Sequence, residues 1–360
     1  MKINAAGLLL CTFLVGCGGG DAPFGEDATD SGTDGGTGTG GDVGDGTGII
    51  REGLPPGTAS PAPDSRIVRS EPTEAEGGNL GDGSATGIRY DGDTDVFTVD
   101  GLAFDGGNRY ARGVNVSSLN GEFAVYEAFQ QFPDSSNDEL INQFTHRAIY
   151  GVSRNLDSEG NPQTQFAIVR TGAYIPYGFG GFVYQREGSV ELPTGGQAVF
   201  NGRSAGLRDY DGSGGLEYST ANVEIAIDFE SFNASSGVRG DAVRGTFSNR
   251  RVYDVNGADI TDTIVGRINA KNDASLGSIP DARFEVGPGV MDANGEIIGN
   301  VFSNFVDENG RVREYESGKY YAIVSGDDTN EIVGVLVTEN TAELDNVTVR
   351  DTSGFIVYRD

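Results

Sequence analysis

The chain has 360 residues, with 54 acidic against 25 basic side chains, a single histidine and a formal net charge of −29. A surface this acidic repels nucleic acid and anionic membrane surfaces alike, which argues against both as partners and favours solubility and a basic partner. The only cysteines are Cys11 and Cys17. Once a leader is removed, neither an internal disulfide nor a cysteine-built metal site can form, so the fold must be held by its own core.

Lys2 opens a short basic region, and Ala5 to Gly16 is mostly apolar, too short to span a bilayer but of signal-peptide length. It ends in Leu14-Val15-Gly16-Cys17, which resembles the bacterial lipobox. Residues 1–16 are therefore expected to be a lipoprotein signal peptide, and Cys17 the lipidated residue that ties the chain to a membrane. Gly18 follows, where an aspartate would retain the protein at the inner membrane of enteric bacteria, so the expected location is the outer membrane. Its surface or periplasmic face stays open.

Residues 17–84 read as a lipidated cysteine followed by a disordered Gly/Asp-rich linker. Between Gly18 and Ile50 there are thirteen glycines, seven acidic residues and no basic one, and no aromatic residue appears between Phe24 and Tyr90. A segment this poor in large apolar groups cannot offset its ordering entropy by burial.

Residues 85–175 form a separate, irregular β-rich piece, with strand-like runs at Val96 to Val99 and Phe166 to Arg170 and a short helix expected around Glu122 to Gln131. From residue 176 to 360 the pattern becomes one of short alternating segments. Val223, Ile225, Ile227 and Phe229 alternate with Glu224, Ala226 and Asp228, the period of a half-buried strand. Similar runs occur at Ala282-Phe284-Val286, Ile298 to Phe302, Tyr320 to Val324, Ile332 to Val337 and Phe355 to Tyr358. Asp211-Gly212, Asn256-Gly257, Asn294-Gly295 and Asn309-Gly310 mark tight hairpin connections, since these residues tolerate positive φ.

Eight to ten strands joined by short turns make an antiparallel meander, which loses its exposed edges most simply by closing into an up-and-down barrel. A β-sandwich is the alternative. Ile332 to Val337 is apolar on both faces, unlike a strand of a transmembrane barrel, so a water-soluble barrel with a packed interior is expected. The predicted fold is all-β: an eight-stranded antiparallel up-and-down barrel preceded by a small β-rich subdomain and a disordered leash.

Three constellations could carry chemistry. Gly202-Arg203-Ser204-Ala205-Gly206 matches the G-x-S-x-G nucleophile pattern, but it lies in a strand-rich stretch, and the only histidine, His146, is upstream where hydrolases of that type place it downstream. Asp209-Tyr210-Asp211-Gly212-Ser213-Gly214 imitates the start of a calcium loop, but Thr220 stands where a bidentate glutamate is required. Tyr174, Tyr177, Phe179, Phe182 and Tyr184 would be a binding platform if exposed and barrel filling if buried; the core reading is preferred. No catalytic residue, metal ligand or cofactor is assigned, and no enzymatic activity is expected.

The C-terminal half resembles the barrel lobes of transferrin-binding-protein-B-like bacterial surface lipoproteins. The resemblance is carried by Tyr177-Gly178-Phe179-Gly180-Gly181-Phe182-Val183-Tyr184, by Leu192-Pro193-Thr194-Gly195-Gly196-Gln197-Ala198-Val199-Phe200-Asn201-Gly202, by Val223 to Phe229 and by Gly354-Phe355-Ile356-Val357-Tyr358. It covers residues 175 to 360 and, more loosely, the preceding piece, which would correspond to the family's handle subdomain. It implies an outer-membrane lipoprotein whose side-chain-filled barrel works as a binding module, as relatives do when they capture host iron proteins, haem proteins or complement regulators. It also suggests an outer-membrane transporter as a further partner. This chain has one handle-plus-barrel unit where the family has two lobes, and no ligand-contacting loop can be matched, so transferrin itself is not implied and the ligand-binding residues are unknown. Two other readings compete: a lipocalin-like periplasmic carrier holding a small apolar ligand in its barrel, and a structural envelope protein without a ligand.

Overall fold

A computed structural model describes residues 53–360, apart from 103, 135, 230, 231, 234–237, 240, 241 and 289. Cys17 and the signal region lie outside the described residues. Almost all regular structure is strand, arranged in two antiparallel sheets of nine strands and two small hairpins.

The first sheet contains β1 (Ile67–Ser70), β2 (Thr86–Asp91), β3 (Val96–Asp100), β4 (Arg109–Arg112), β5 (Ser118–Leu119), β6 (Phe123–Ala128), β7 (Arg147–Val152), β8 (Thr164–Arg170) and β9 (Gly180–Arg186). Its order is β1-β9-β8-β7-β6-β4-β3-β2, with β5 added on β6. Strands β8 and β9 are buried at every position. One of their faces meets the second sheet. The other is covered because the sheet curls on itself, bringing Tyr90 of β2 over Tyr150 of β7 at 5.4 Å and stacking Phe97 on Tyr126 at 5.2 Å.

The second sheet is the expected barrel. Its strands are β10 (Gln197–Asp211), β11 (Glu217–Asp228), β12 (Ala242–Asp254), β13 (Ala282–Phe284), β14 (Glu296–Val306), β15 (Val312–Ser325), β16 (Glu331–Asn340) and β17 (Thr348–Arg359), and α1 (Thr261–Asn272) separates β12 from β13. Each strand pairs with its sequence neighbours, β10 pairs with β17, and β11 with β12, so the eight strands close. A short strand at residues 287–288 adds to the end of β12.

Alternation decides what fills the lumen. Phe200, Val223, Ile225, Phe247, Phe284, Val301, Tyr320, Leu336, Phe355 and Val357 point inward as one core. The glycines opposite the rings make room for them: a Cβ at Gly334 would lie 2.4 Å from the Phe355 ring, and one at Gly299 2.5 Å from Tyr320. Further along the same inward faces the filling becomes ionic. Arg208 bridges Glu217 and Glu343. Arg250 holds Glu316, to which Thr338 Oγ1 also donates at 3.1 Å, and Ser219 and Ser353 donate to Asp351 at 2.9 and 2.6 Å. Helix α1 covers this end, packing Ile264, Val265 and Ile268 against Val252, Phe305, Tyr315 and Ala342.

Four turns share one device. Asp157, Asp254, Asp292 and Asp307 each accept backbone N–H bonds from the second and fourth residues that follow, at 2.8–2.9 Å. The intervening glycines, Gly160, Gly257, Gly295 and Gly310, all sit at φ between 75° and 90°. The Asn-Gly pairs thus do mark turns, but of a longer type organised by the preceding aspartate.

Several expectations are corrected. The linker expected to run to residue 84 gives way earlier, because Ile67 and Val68 are buried in β1, which pairs with β9. The barrel does not begin at residue 176: β9 lies between β1 and β8 in the first sheet, and the barrel begins at Gln197. The helix expected around Glu122 to Gln131 is β6, whose Phe123 and Val125 face the barrel while Tyr126 and Ala128 face the curled interior. Helix α1 was not foreseen from the sequence.

Candidate functional site

The residues singled out for chemistry do not assemble into a reactive site. Ser204 is in the middle of β10, 1% exposed, with its hydroxyl unpaired and its carbonyl accepting from Asn120 Nδ2 at 3.1 Å. His146 immediately precedes β7, fully buried edge-on to Tyr110, with Nδ1 donating to the Phe144 carbonyl at 3.2 Å. Burial pushes this imidazole down to about 4, so it stays neutral at ordinary pH. Asp209 faces away from the loop it was read into: it receives Arg350 at 2.7 and 3.0 Å, and Arg170 stands 3.8 Å away. Among the described residues no cluster of three His, Cys, Asp or Glu side chains could hold a metal ion. Of the aromatic group, Tyr177, Phe182 and Tyr184 are buried, and Tyr174 is exposed.

The barrel lumen leaves a cavity of about 10 Å³ among Arg208, Ser219, Phe247, Arg250, Tyr315 and Asp351. That volume is about one water molecule's worth.

Buried ionic contacts fix the first sheet on the outer face of the barrel. The apolar part of this interface joins Ile67, Phe123, Phe166, Phe182 and Tyr184 to Ala205, Leu207, Tyr218, Ile323, Val333 and Ile356. At its margin Arg170 of β8 holds Glu71 at 2.8 Å and Thr352 at 3.0 Å. Arg350 of β17 donates to Asp82 at 2.6 Å and lies 4.1 Å from the centre of the Tyr177 ring. Arg69 makes a two-point contact with Glu296 at 2.6 and 2.9 Å. Arg186 donates to the carbonyls of Asn294, Val324 and Ser65, and burial lowers it to about 10.

A cluster of exposed large apolar side chains lies at one end of the first sheet. Beyond β6 the chain projects a hairpin pairing residues Gln131–Pro133 with Leu140–Asn142, Phe132 opposite Ile141. Every residue of its two strands is exposed. Phe129, Phe132, Leu140, Ile141 and Phe144 are 48, 41, 62, 41 and 43% exposed, and Phe104, at 61%, sets its ring 5.3 Å from that of Phe144. Gly107 backs the patch: a Cβ there would come within 2.5 Å of the Phe132 ring. Together these side chains present on the order of 500 Å² of apolar surface, at the upper range of what monomers leave bare without a use for it.

Charge around the patch is one-sided. Asp134, Asp138 and Glu139 occupy the hairpin tip, and no lysine or arginine occurs between Arg112 and Arg147. Asp134 is pulled below the usual carboxylate range by hydrogen bonds from Ser136, so it stays ionised. Arg89 and Arg109, both exposed and both paired with Thr98 of β3, are the cations of the neighbouring strands.

Several solved structures of transferrin-binding protein B are among those similar to this chain. The chain matches one from Haemophilus parasuis at 12% identity and a TM-score of 0.39, covering 84% of this chain and 47% of that one. It matches that from serogroup B Neisseria meningitidis at 14% identity and a TM-score of 0.29, covering 77% and 50%. A protein described as a surface lipoprotein matches at 10% identity and a TM-score of 0.27, covering 57% and 79%. The chain thus spans about half the length of the transferrin-binding proteins it matches. No family model matches the sequence, and no curated protein does.

Proposed function

We propose that this chain is a lipid-anchored, non-enzymatic binding module of the outer membrane that captures a protein through the projecting aromatic hairpin. The observation that carries this reading is the apolar patch of Phe104, Phe129, Phe132, Leu140, Ile141 and Phe144, rimmed by Asp134, Asp138 and Glu139. Rings on a pre-formed hairpin give contact area at low entropic cost, and the acidic rim selects partners with basic groups around an apolar centre. The filled lumen speaks against a small apolar ligand held inside the barrel. The sequence resemblance adds host iron and haem proteins as ligands to screen and an outer-membrane transporter as the onward partner. The anchor is assigned to Cys17 on the lipobox pattern.

Two measurements test this. Metabolic labelling with a fatty-acid analogue should mark the chain and be abolished by Cys17→Ser; undiminished labelling removes the anchor. The mature chain is then immobilised against a panel of basic proteins and a cationic amphipathic peptide. Salt-sensitive binding that falls about tenfold in Phe132→Ser/Leu140→Ser, at unchanged melting temperature, supports capture by the hairpin. Binding unaffected by the double substitution, or none to any of the panel, sinks it.

A further inference from the structure

A second surface of different chemistry lies where the first sheet meets the barrel. The chain around β5 and the end of β12 enclose a cleft of about 360 Å³ lined by Asn115, Val116, Ser117, Ser118, Leu119, Asn120, Thr220, Tyr253 and Gly257. In a protein with 79 charged side chains of the common four kinds, this lining contains none. Its floor is apolar, since Val116 and Leu119 are buried in the interface core. Its walls carry side-chain amides, hydroxyls and one half-buried tyrosine ring.

The cleft is held open from both sides. Asn115 Nδ2 donates to Asn256 Oδ1 at 3.1 Å, tying the loop before β5 to the turn after β12. Asn120 is fixed twice, donating to the Ser204 carbonyl at 3.1 Å and receiving Arg203 on its own carbonyl at 3.0 Å. A bulge shifts the register of β11 on β12 between Thr220 and Asn222, with Asn249 at φ 49°, and Thr220 beside it lines the cleft. No described residue engages the hydroxyls of Ser117, Ser118, Thr220 or Tyr253, so they are free for a ligand.

We infer that this cleft binds a neutral glycan. A sugar ring offers an apolar C–H face and a rim of hydroxyls that both donate and accept. An aromatic ring with uncharged amides and hydroxyls over an apolar floor matches both, and the flanking cations are engaged elsewhere: Arg203 and Arg112 on the carbonyls of Asn120 and Ser117, and Arg251 on Asp259. The inference does not depend on the hairpin, which lies elsewhere on the first sheet and has the opposite character.

The test titrates the mature chain with N,N′-diacetylchitobiose, maltotriose, lactose and mannotriose, read by saturation-transfer NMR and calorimetry. It also compares ribonuclease B, which carries a neutral mannose-rich glycan, with its unglycosylated form. Saturable binding of at least one oligosaccharide, weakened about tenfold by Tyr253→Ala and blocked by Ser118→Trp at unchanged melting temperature, is the expected result. Should Tyr253→Ala fail to fold, the exposed Ser118→Trp decides alone. Preference for the glycosylated ribonuclease would place the ligand on a glycoprotein, and binding of free sugar alone would make it a free oligosaccharide. No saturable binding of any probe up to about 10 mM, or binding indifferent to both substitutions, overturns the inference.

Discussion

His146 shows how a residue type usually read as a catalyst can be settled by its surroundings. It is fully buried, one ring nitrogen reaches the Phe144 carbonyl, and the other has no partner. A proton gained there would have to be carried without solvent, which is why burial lowers this imidazole from 6.5 to about 4. The sign of the linkage follows. The unfolded chain binds this proton near pH 6.5 and the folded chain only near 4, so stability is fully present above pH 6.5 and is lost as pH falls through that interval. The difference corresponds to about 3 kcal/mol. Carboxyls that burial raises, Asp105, Asp209, Glu187 and Glu331, act in the opposite direction, gaining stability as they protonate. Denaturant unfolding at pH 7 and pH 4 should therefore show a smaller loss for His146→Gln than for the natural chain. Equal losses would mean that the imidazole is protonated in the folded protein.

At the level of elements, the aspartates account for part of the acidity that opens the sequence. Asp157 and Asp307 are held below the usual carboxylate range: for Asp157 desolvation is the largest single contribution, raising it, but hydrogen bonds from Asn161, Glu159 and Gly160 together outweigh it, and Asp307 is lowered chiefly by the Arg311 backbone N–H. A lowered carboxylate contributes stability above its unfolded value and loses it as pH falls through its folded one, below about pH 4. Replacing both by asparagine keeps an acceptor oxygen in each turn and removes the charge. The variant Asp157→Asn/Asp307→Asn is expected to melt with a flatter pH dependence between about pH 4 and pH 2 than the natural chain; parallel curves would dissociate these turns from acid stability.

Those turns also show what could be read directly. Alternation at Val223 to Phe229 and the Asn-Gly signals located strands and turns because both depend on neighbours in sequence. Sheet membership does not. Gly180 to Arg186 has the same local pattern as a barrel strand, yet it pairs with β1 and β8, a choice made by contacts more than a hundred residues away from β1. Helix α1 carries only Ile264, Val265 and Ile268 as its buried stripe, with Gly266 within it, too weak a periodicity to stand out. The hairpin patch was missed for a related reason: apolar residues signal burial until a structure shows otherwise. Its one local hint is Pro133, which cannot sit in the middle of a central strand.

For the whole molecule, the interface determines whether sheet and barrel are two units or one. Removing the first sheet would uncover Ala205, Leu207, Tyr218, Ile323, Val333, Val335 and Ile356, all 2% exposed or less. It would also strand the carboxylate of Glu296, which faces Arg69, and leave Arg350 without Asp82. Gly354 fits the same picture, since a Cβ there would lie 2.2 Å from the Phe166 ring of the facing sheet. Apolar burial and paired charges thus both cross the boundary, and the chain should unfold in a single transition, with fluorescence and circular dichroism coincident. Arg350 touches both parts through Asp209 and Asp82. Arg350→Met leaves Asp82 without its cation and Asp209 with only Arg170, 3.8 Å away, so it should cost about 3–5 kcal/mol while the transition stays single. Adding Asp209→Leu should recover part of that loss, because one of the two carboxylates is then gone. A two-step unfolding curve in the natural chain, or a barrel fragment from residue 191 that folds without binding hydrophobic dyes, would instead show that the handle is only docked on an independent barrel.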